Sequence, residues 1–193
     1  MRKNIILAGV GGQGTVLASK LIAAAAMEQG IPVTSAETIG MAQRGGSVFS
    51  HLRMGEGVRS PMIKEGEGDL LMGFEPGETL RMIRFLKPGA RIITAVRPVI
   101  PVTAALAGGT YDGRKQLEYL RTCPYSLLEV DTDGALQSLG NPKVGNVVLL
   151  GAAAATGNLG VSVEDIRNAI RVRIPEKLQE INFRALDFGA KLV

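Results

Sequence analysis

The chain has 193 residues, 46% of them hydrophobic and 21% charged, with a net charge of +4. That balance describes a globular chain long enough to bury a core, and it excludes a disordered or fibrous one. The charge is small and scattered, with no basic run of five and no aromatic interleaving, so nucleic acid is not an expected partner. Aromatic residues make up only 4%, so the core must rest on Ile, Leu, Val, Ala and Met. A single cysteine, Cys123, excludes an internal disulfide and any iron–sulfur cluster held by this chain alone.

In chain order, residues 4–8 form a continuous apolar run ending at glycines, the pattern of a strand buried on both faces. Residues 16–29 read as an alanine-rich helix with Leu17, Leu21, Ile22 and Ala25 on one stripe, stopped by Gly30. Residues 32–36 supply a second strand. This βαβ opening predicts a parallel pair with a right-handed crossover. Residues 47–54 alternate strictly, with Val48, Ser50, Leu52 and Met54 on one face and Phe49, His51 and Arg53 on the other. Gly55-Glu56-Gly57 predicts a hairpin returning through residues 58–60, an insertion in the alternating plan.

Further strands are expected at 69–74, 91–95 and 126–130, with a helix over 76–86 opened by Pro76 and a turn at Lys87-Pro88-Gly89. Residues 96–112, rich in Pro, Gly and Val, carry no assignment. Helices follow at 114–122, 131–139, 144–156, 164–172 (capped by Ser162 with Asp165) and 175–191. Neither 4–8 nor 147–155 is long enough to span a membrane, so a soluble cytoplasmic protein with no membrane partner is expected. The fold class is α/β: one three-layer, Rossmann-like domain over 1–193, with a mostly parallel sheet, a β-hairpin insertion and a helical C-terminal third.

Two glycine-rich segments carry the chemistry. Gly9, Gly11 and Gly14 match G-x-G-x-x-G between a strand and a helix, and Glu37 lies near the end of the second strand. This nearly meets the dinucleotide fingerprint, in which backbone N–H groups approach a pyrophosphate and an acid holds a ribose hydroxyl. A turn that only permits close packing is the competing reading, and a different phosphate-bearing ligand is a third. Gly12 and Gln13 depart from the plain fingerprint. The second segment runs from Glu37 through Gln43, Arg44, Gly45 and Gly46 to Ser47. Its glycines let another backbone or ligand come close, while Arg44 offers a rigid donor fork for a phosphate or a carboxylate.

In combination, Gly9-Val10-Gly11-Gly12-Gln13-Gly14, residues 37–48 with the Ser-His-Leu-Arg strand, and Asn146-Val147-Val148-Leu149-Leu150-Gly151-Ala152 resemble one family. It is the gamma-type domain of the 2-oxoacid:ferredoxin oxidoreductases, with the small subunit of the indolepyruvate type nearest. The resemblance implies a two-subunit enzyme that oxidatively decarboxylates arylpyruvates to acyl-CoA and passes electrons to ferredoxin. Thiamine diphosphate and 4Fe-4S clusters would sit on the large partner, and coenzyme A would be co-substrate. This chain would hold none of the catalytic residues. It would offer Gly9, Gly11, Gly12, Gln13, Gly14 and Thr15 as a phosphate or coenzyme A contact. Glu37, Gln43, Arg44, Gly45, Gly46 and Ser47 would form a loop facing the partner or its active site. It contains no Gly-Asp-Gly thiamine motif.

The rival from another class is a stand-alone NAD- or FAD-dependent dehydrogenase or nucleotide sensor, for which the chain offers one histidine and no evident substrate domain. A plain binding module is the third. His51 reads as a structural or interface group before a general base, Cys123 as an idle thiol, and Arg167, Arg171 and Arg173 as a solvated helix face.

Overall fold

A computed structural model describes residues 2–37, 45–100 and 110–193. The apolar runs become strands β1 (Lys3–Val10), β2 (Val33–Glu37), β3 (Ser47–Met54), β4 (Gly68–Gly73), β5 (Leu86–Ala95) and β6 (Ser126–Val130). They lie side by side in the order β2-β3-β1-β4-β5-β6. Pairing is parallel along β1-β4-β5-β6, and β3 is antiparallel to both of its neighbours. The result is a mixed, mostly parallel α/β sheet.

Among the described residues seven α-helices accompany it: α1 (Thr15–Glu28), α2 (Pro76–Met82), α3 (Arg114–Thr122), α4 (Thr132–Leu139), α5 (Gly145–Ala155), α6 (Val163–Arg173) and α7 (Glu176–Ala190). One face of the sheet packs against α1 and the C-terminal helices, around Leu7, Leu52, Met72, Leu149 and Ile170. The other packs against α2 and α3, around Ile6, Leu71, Ile92 and Leu120. Because α1 follows β1 onto one face and α2 follows β4 onto the other, the chain leaves the carboxyl ends of these two paired strands in opposite directions. That divergence opens a crevice.

Three expectations are corrected. First, β2 runs alongside β1 in direction but does not pair with it, because β3 lies between them with Gly9 opposite Val48 and Ala36 opposite His51. Second, the antiparallel insertion is the β2–β3 ribbon itself. Residues 58–60 form no return strand, and the segment around Arg53 closes instead through its guanidinium, which donates to the carbonyls of Ser60 and Met62 at 3.2 Å. The alternation of β3 holds, yet both of its faces are covered because the strand is interior. Third, the helix begun at Pro76 stops at Met82, and a single 3-10 turn (Ile83–Phe85) leads straight into β5. Lys87-Pro88-Gly89 is therefore a bulge within that strand, between the pairs Gly68–Leu86 and Leu70–Arg91. Gly89 sits at φ 76°, and Pro88 has no N–H to pair.

The C-terminal helices form as anticipated. Ser162 and Asp165 close a capping box on α6, and Gly30 ends α1 with φ 73°. Helices α5 and α7 approach through Gly151 and Gly189. A β-carbon at Gly189 would lie 1.9 Å from the Val148 carbonyl oxygen.

Candidate functional site

The glycine turn after β1 is held from inside. Gln13 Oε1 accepts the Val10 N–H at 2.7 Å while Gln13 Nε2 donates to the Phe74 carbonyl at 2.7 Å, which ties the turn to the end of β4. Gly9 is a packing glycine: a β-carbon there would meet Gln13, Phe74 and Thr15, each at 2.9 Å. The two glycine motifs meet directly. Gly11 donates its N–H to the Gly46 carbonyl at 2.8 Å, and the Gly45 N–H returns to the Gly11 carbonyl at 3.3 Å. Gln43 and Arg44 lie outside the described residues. Glu37 closes β2 half-buried, opposite Ser50.

Beyond the turn lies a crevice of about 710 Å³ at the carboxyl ends of β1, β4, β5 and β6. Gly12, Gln13 and Gly14 line one side, residues 97–100 the other, and Lys143, Gly145 and Asn146 the floor. Leu17, expected in the core stripe of α1, is instead 37% exposed at this mouth. Gly14 is at φ 81°, and its position is dictated twice over. Asn146, buried in the first turn of α5, donates Nδ2 to the Gly14 carbonyl at 3.3 Å, and a Gly14 β-carbon would come within 2.4 Å of that nitrogen. Thr15 is buried behind it.

Electrostatically the crevice suits an anion. Helices α1 and α5 both begin here, behind Gly14 and Val144, without a side-chain cap on their first N–H groups. Such ends carry partial positive charge. Among the described lining residues the ionisable groups are Arg97 and Lys143, with no carboxylate. Arg97 is steadied by Asp133 at 3.3 Å.

A buried polar cluster sits where β4 turns into α2. Glu75, 2% exposed, caps α2 by accepting the Glu78 N–H at 2.9 Å on one oxygen and accepts the Tyr111 hydroxyl at 2.5 Å on the other. Burial pushes the Glu75 carboxyl up, against the pull of hydrogen bonds from Tyr111 and from the Glu78, Gly77 and Val99 backbone. Tyr111 is pushed up as well, by burial first and then by its bond to the carboxylate. Glu78, also buried, accepts the Ser47 hydroxyl at 2.5 Å. Ser47 of the second glycine segment is thus fastened to α2. The sequence signal for this cluster is Glu75-Pro76-Gly77-Glu78, an acid at the cap position ahead of proline at the first helical position.

His51 stands apart from the crevice, fully buried on the opposite face. Its Nδ1 accepts the Ile63 N–H at 3.0 Å and its ring meets Phe85 edge-on, so it staples residues 61–64 onto the sheet. The Cys123 thiol makes a weak 3.5 Å contact to the Tyr119 carbonyl. Arg167 pairs with Glu164 and Asp187 and lies over Phe183 together with Arg171, which makes these two a helix–helix brace. Arg173 is exposed.

The dinucleotide reading loses its geometry. Strands are spaced about 4.8 Å apart, so Glu37 on β2 is displaced roughly 10 Å from β1, with β3 in between. Gly45 and Gly46 are hydrogen-bonded to Gly11 directly beside the turn.

The sheet is parallel at its centre, an antiparallel strand is inserted beside its glycine turn, and Asn146 lines the crevice at its carboxyl edge. The chain belongs to the pyruvate ferredoxin/flavodoxin oxidoreductase family, whose description matches residues 4–192. It is 36% identical to indolepyruvate oxidoreductase subunit IorB of Pyrococcus horikoshii over 190 residues, covering 97% of this chain and 94% of that one. The gamma subunit of a keto/oxoacid ferredoxin oxidoreductase from Geobacter sulfurreducens superposes with a TM-score of 0.72 at 23% identity, over 98% of this chain and 97% of that one. A 2-oxoglutarate:ferredoxin oxidoreductase from Magnetococcus marinus, solved with 2-oxoglutarate, coenzyme A and succinyl-CoA, superposes at 0.75 with 19% identity. That match takes in 99% of this chain and 31% of the longer one.

Proposed function

We propose that the chain is the accessory subunit of an indolepyruvate-type 2-oxoacid:ferredoxin oxidoreductase, and that its crevice receives the phosphate-bearing end of coenzyme A. The observation that carries the crevice reading is the convergence of two uncapped helix starts, α1 and α5, with Arg97 and Lys143 at one opening. Backbone N–H groups at helix starts and a pair of cations are the donors that phosphates require. Gly12, Gln13 and Gly14 would bring backbone close to the ligand, while Gly9, Gly11 and Thr15 shape the turn from behind.

The large partner would carry thiamine diphosphate and the 4Fe-4S clusters, with ferredoxin as electron acceptor, and the complex would work in the cytoplasm. One cysteine gives this chain too few thiolates for a cluster. In this reading the loop from Glu37 to Ser47 faces that partner. Arg44 would bind a carboxylate or phosphate there, and Gly45 and Gly46 would set the loop against the glycine turn.

The test is steady-state kinetics of the assembled two-subunit enzyme with Arg97→Ala and Lys143→Ala. Each should raise the coenzyme A KM about tenfold while leaving the 2-oxoacid KM in place. An unchanged coenzyme A KM in both would remove the crevice from the account.

A further inference from the structure

The crevice has two walls that belong to distant parts of the chain, and both are fastened to one pair of residues at the end of β4. On the glycine side, the Phe74 carbonyl holds Gln13 Nε2 at 2.7 Å, and the Phe74 N–H is itself held by the Ala8 carbonyl at 2.7 Å. On the far side, the next residue, Glu75, takes the Tyr111 hydroxyl at 2.5 Å and faces the Val99 N–H. Tyr111 is anchored again by the Gly77 N–H, which donates to its oxygen at 3.0 Å. Gly113 completes the contact: a β-carbon there would sit 3.2 Å from Pro76 and 3.3 Å from Pro98 of the crevice wall. Gly113 also holds φ 72°, which disfavours any side chain at this junction of the wall with α2.

We propose that Glu75 is a positioning residue for the crevice ligand. Through Tyr111 and Val99 it sets the distance between the wall at residues 97–100 and the glycine turn, and thereby places Arg97. The inference rests on the crevice reading above. Glu75 is buried and absent from the crevice lining, so it acts through these neighbours and not by touching the ligand. Its burial also separates it from an ordinary surface cap: a cap needs only the Glu78 N–H, whereas Glu75 spends its second oxygen on Tyr111.

The experiment compares wild type, Lys143→Ala, Glu75→Gln and Tyr111→Phe in the assembled enzyme, with coenzyme A and 2-oxoacid varied separately and melting temperatures recorded. Tyr111→Phe removes one hydroxyl and keeps the ring, so it reports even where the Glu75 variant folds poorly. The expected result is an approximately tenfold higher coenzyme A KM in Glu75→Gln and Tyr111→Phe, an unchanged 2-oxoacid KM, and turnover recovered at saturating coenzyme A. A normal coenzyme A KM in Tyr111→Phe, or equal damage to both KM values, overturns the inference while a weakened Lys143→Ala preserves the crevice reading. A normal coenzyme A KM in Lys143→Ala together with the other two overturns both.

Discussion

Gly11 and Gly46, 35 residues apart, are joined by a 2.8 Å backbone hydrogen bond, and the neighbouring Gly45 N–H returns to the Gly11 carbonyl. The two glycine-rich motifs therefore form one backbone-paired unit, and β3 enters the sheet beside β1 because of it. Gly45 holds φ 80°, a conformation that costs an L side chain about 1–2 kcal/mol. Gly45→Ala should lower the stability of the chain by that amount in urea denaturation. In the assembled enzyme it should weaken coenzyme A binding more than thermal stability.

Gln13 is a brace whose removal strands two backbone groups. Gln13→Leu leaves the Val10 N–H and the Phe74 carbonyl without the amide that pairs them. An orphaned backbone group costs about 1–3 kcal/mol, so with two of them a loss of about 2–6 kcal/mol is expected. The denaturation midpoint measures it, and a midpoint within error of wild type would mean that water replaces the amide fully.

His51 gives the fold a pH dependence of definite sign. Burial lowers its pKa, with Nδ1 accepting from Ile63 and Nε2 buried without a partner among the described residues. The unfolded chain then binds the proton more readily than the native one. The native state is therefore favoured above the ordinary histidine value of about 6.5 and loses that advantage as pH falls through the lower folded value. Glu75, whose carboxyl is pushed up, has the opposite sign: its contribution is present at low pH and lost as pH rises through its folded value. Comparing wild type with His51→Phe across pH 7 to about 5 isolates the histidine, and the difference in stability should grow in favour of the variant as pH falls.

Helices α5 and α7 touch backbone to backbone. Gly189→Ala would drive a methyl to within 1.9 Å of the Val148 carbonyl oxygen, so the helices must separate. Overpacking of this kind costs about 3 kcal/mol, visible as a large drop in melting temperature. A change within error would contradict the close approach.

Much of this fold was legible in the sequence, and the exceptions have a common cause. Residues 4–8 and 69–74 announce buried strands because their apolar runs need cover on both faces, 126–130 announces a strand that proves to be the sheet edge, and Ser162 with Asp165 announces a helix start. The insertion of β3 between β1 and β2 was not legible, because strict alternation describes an edge hairpin as well as an interior antiparallel strand. Only the long-range pairing of Gly11 with Gly46 decides between them. Likewise Lys87-Pro88-Gly89 has turn chemistry, and only the neighbouring strand β4 shows that it bulges within β5. At the site, Gly12, Gln13 and Gly14 were visible as a local motif. Arg97, Lys143 and Asn146 join them from residues 97–146, where no local pattern could announce a shared wall. Asn146 stood within the motif that carried the family resemblance, and Glu75 within a helix-start signal whose second function is tertiary.

The most direct test of the account is activity of this chain purified alone, of the large partner proposed to carry thiamine diphosphate and the iron–sulfur clusters alone, and of the two together. Each is given indolepyruvate, coenzyme A and oxidised ferredoxin. The account predicts coenzyme A-dependent ferredoxin reduction by the pair, and no oxidation by this chain alone. Arylpyruvate oxidation by the isolated chain, or a large subunit that reaches full rate without it, would contradict the account.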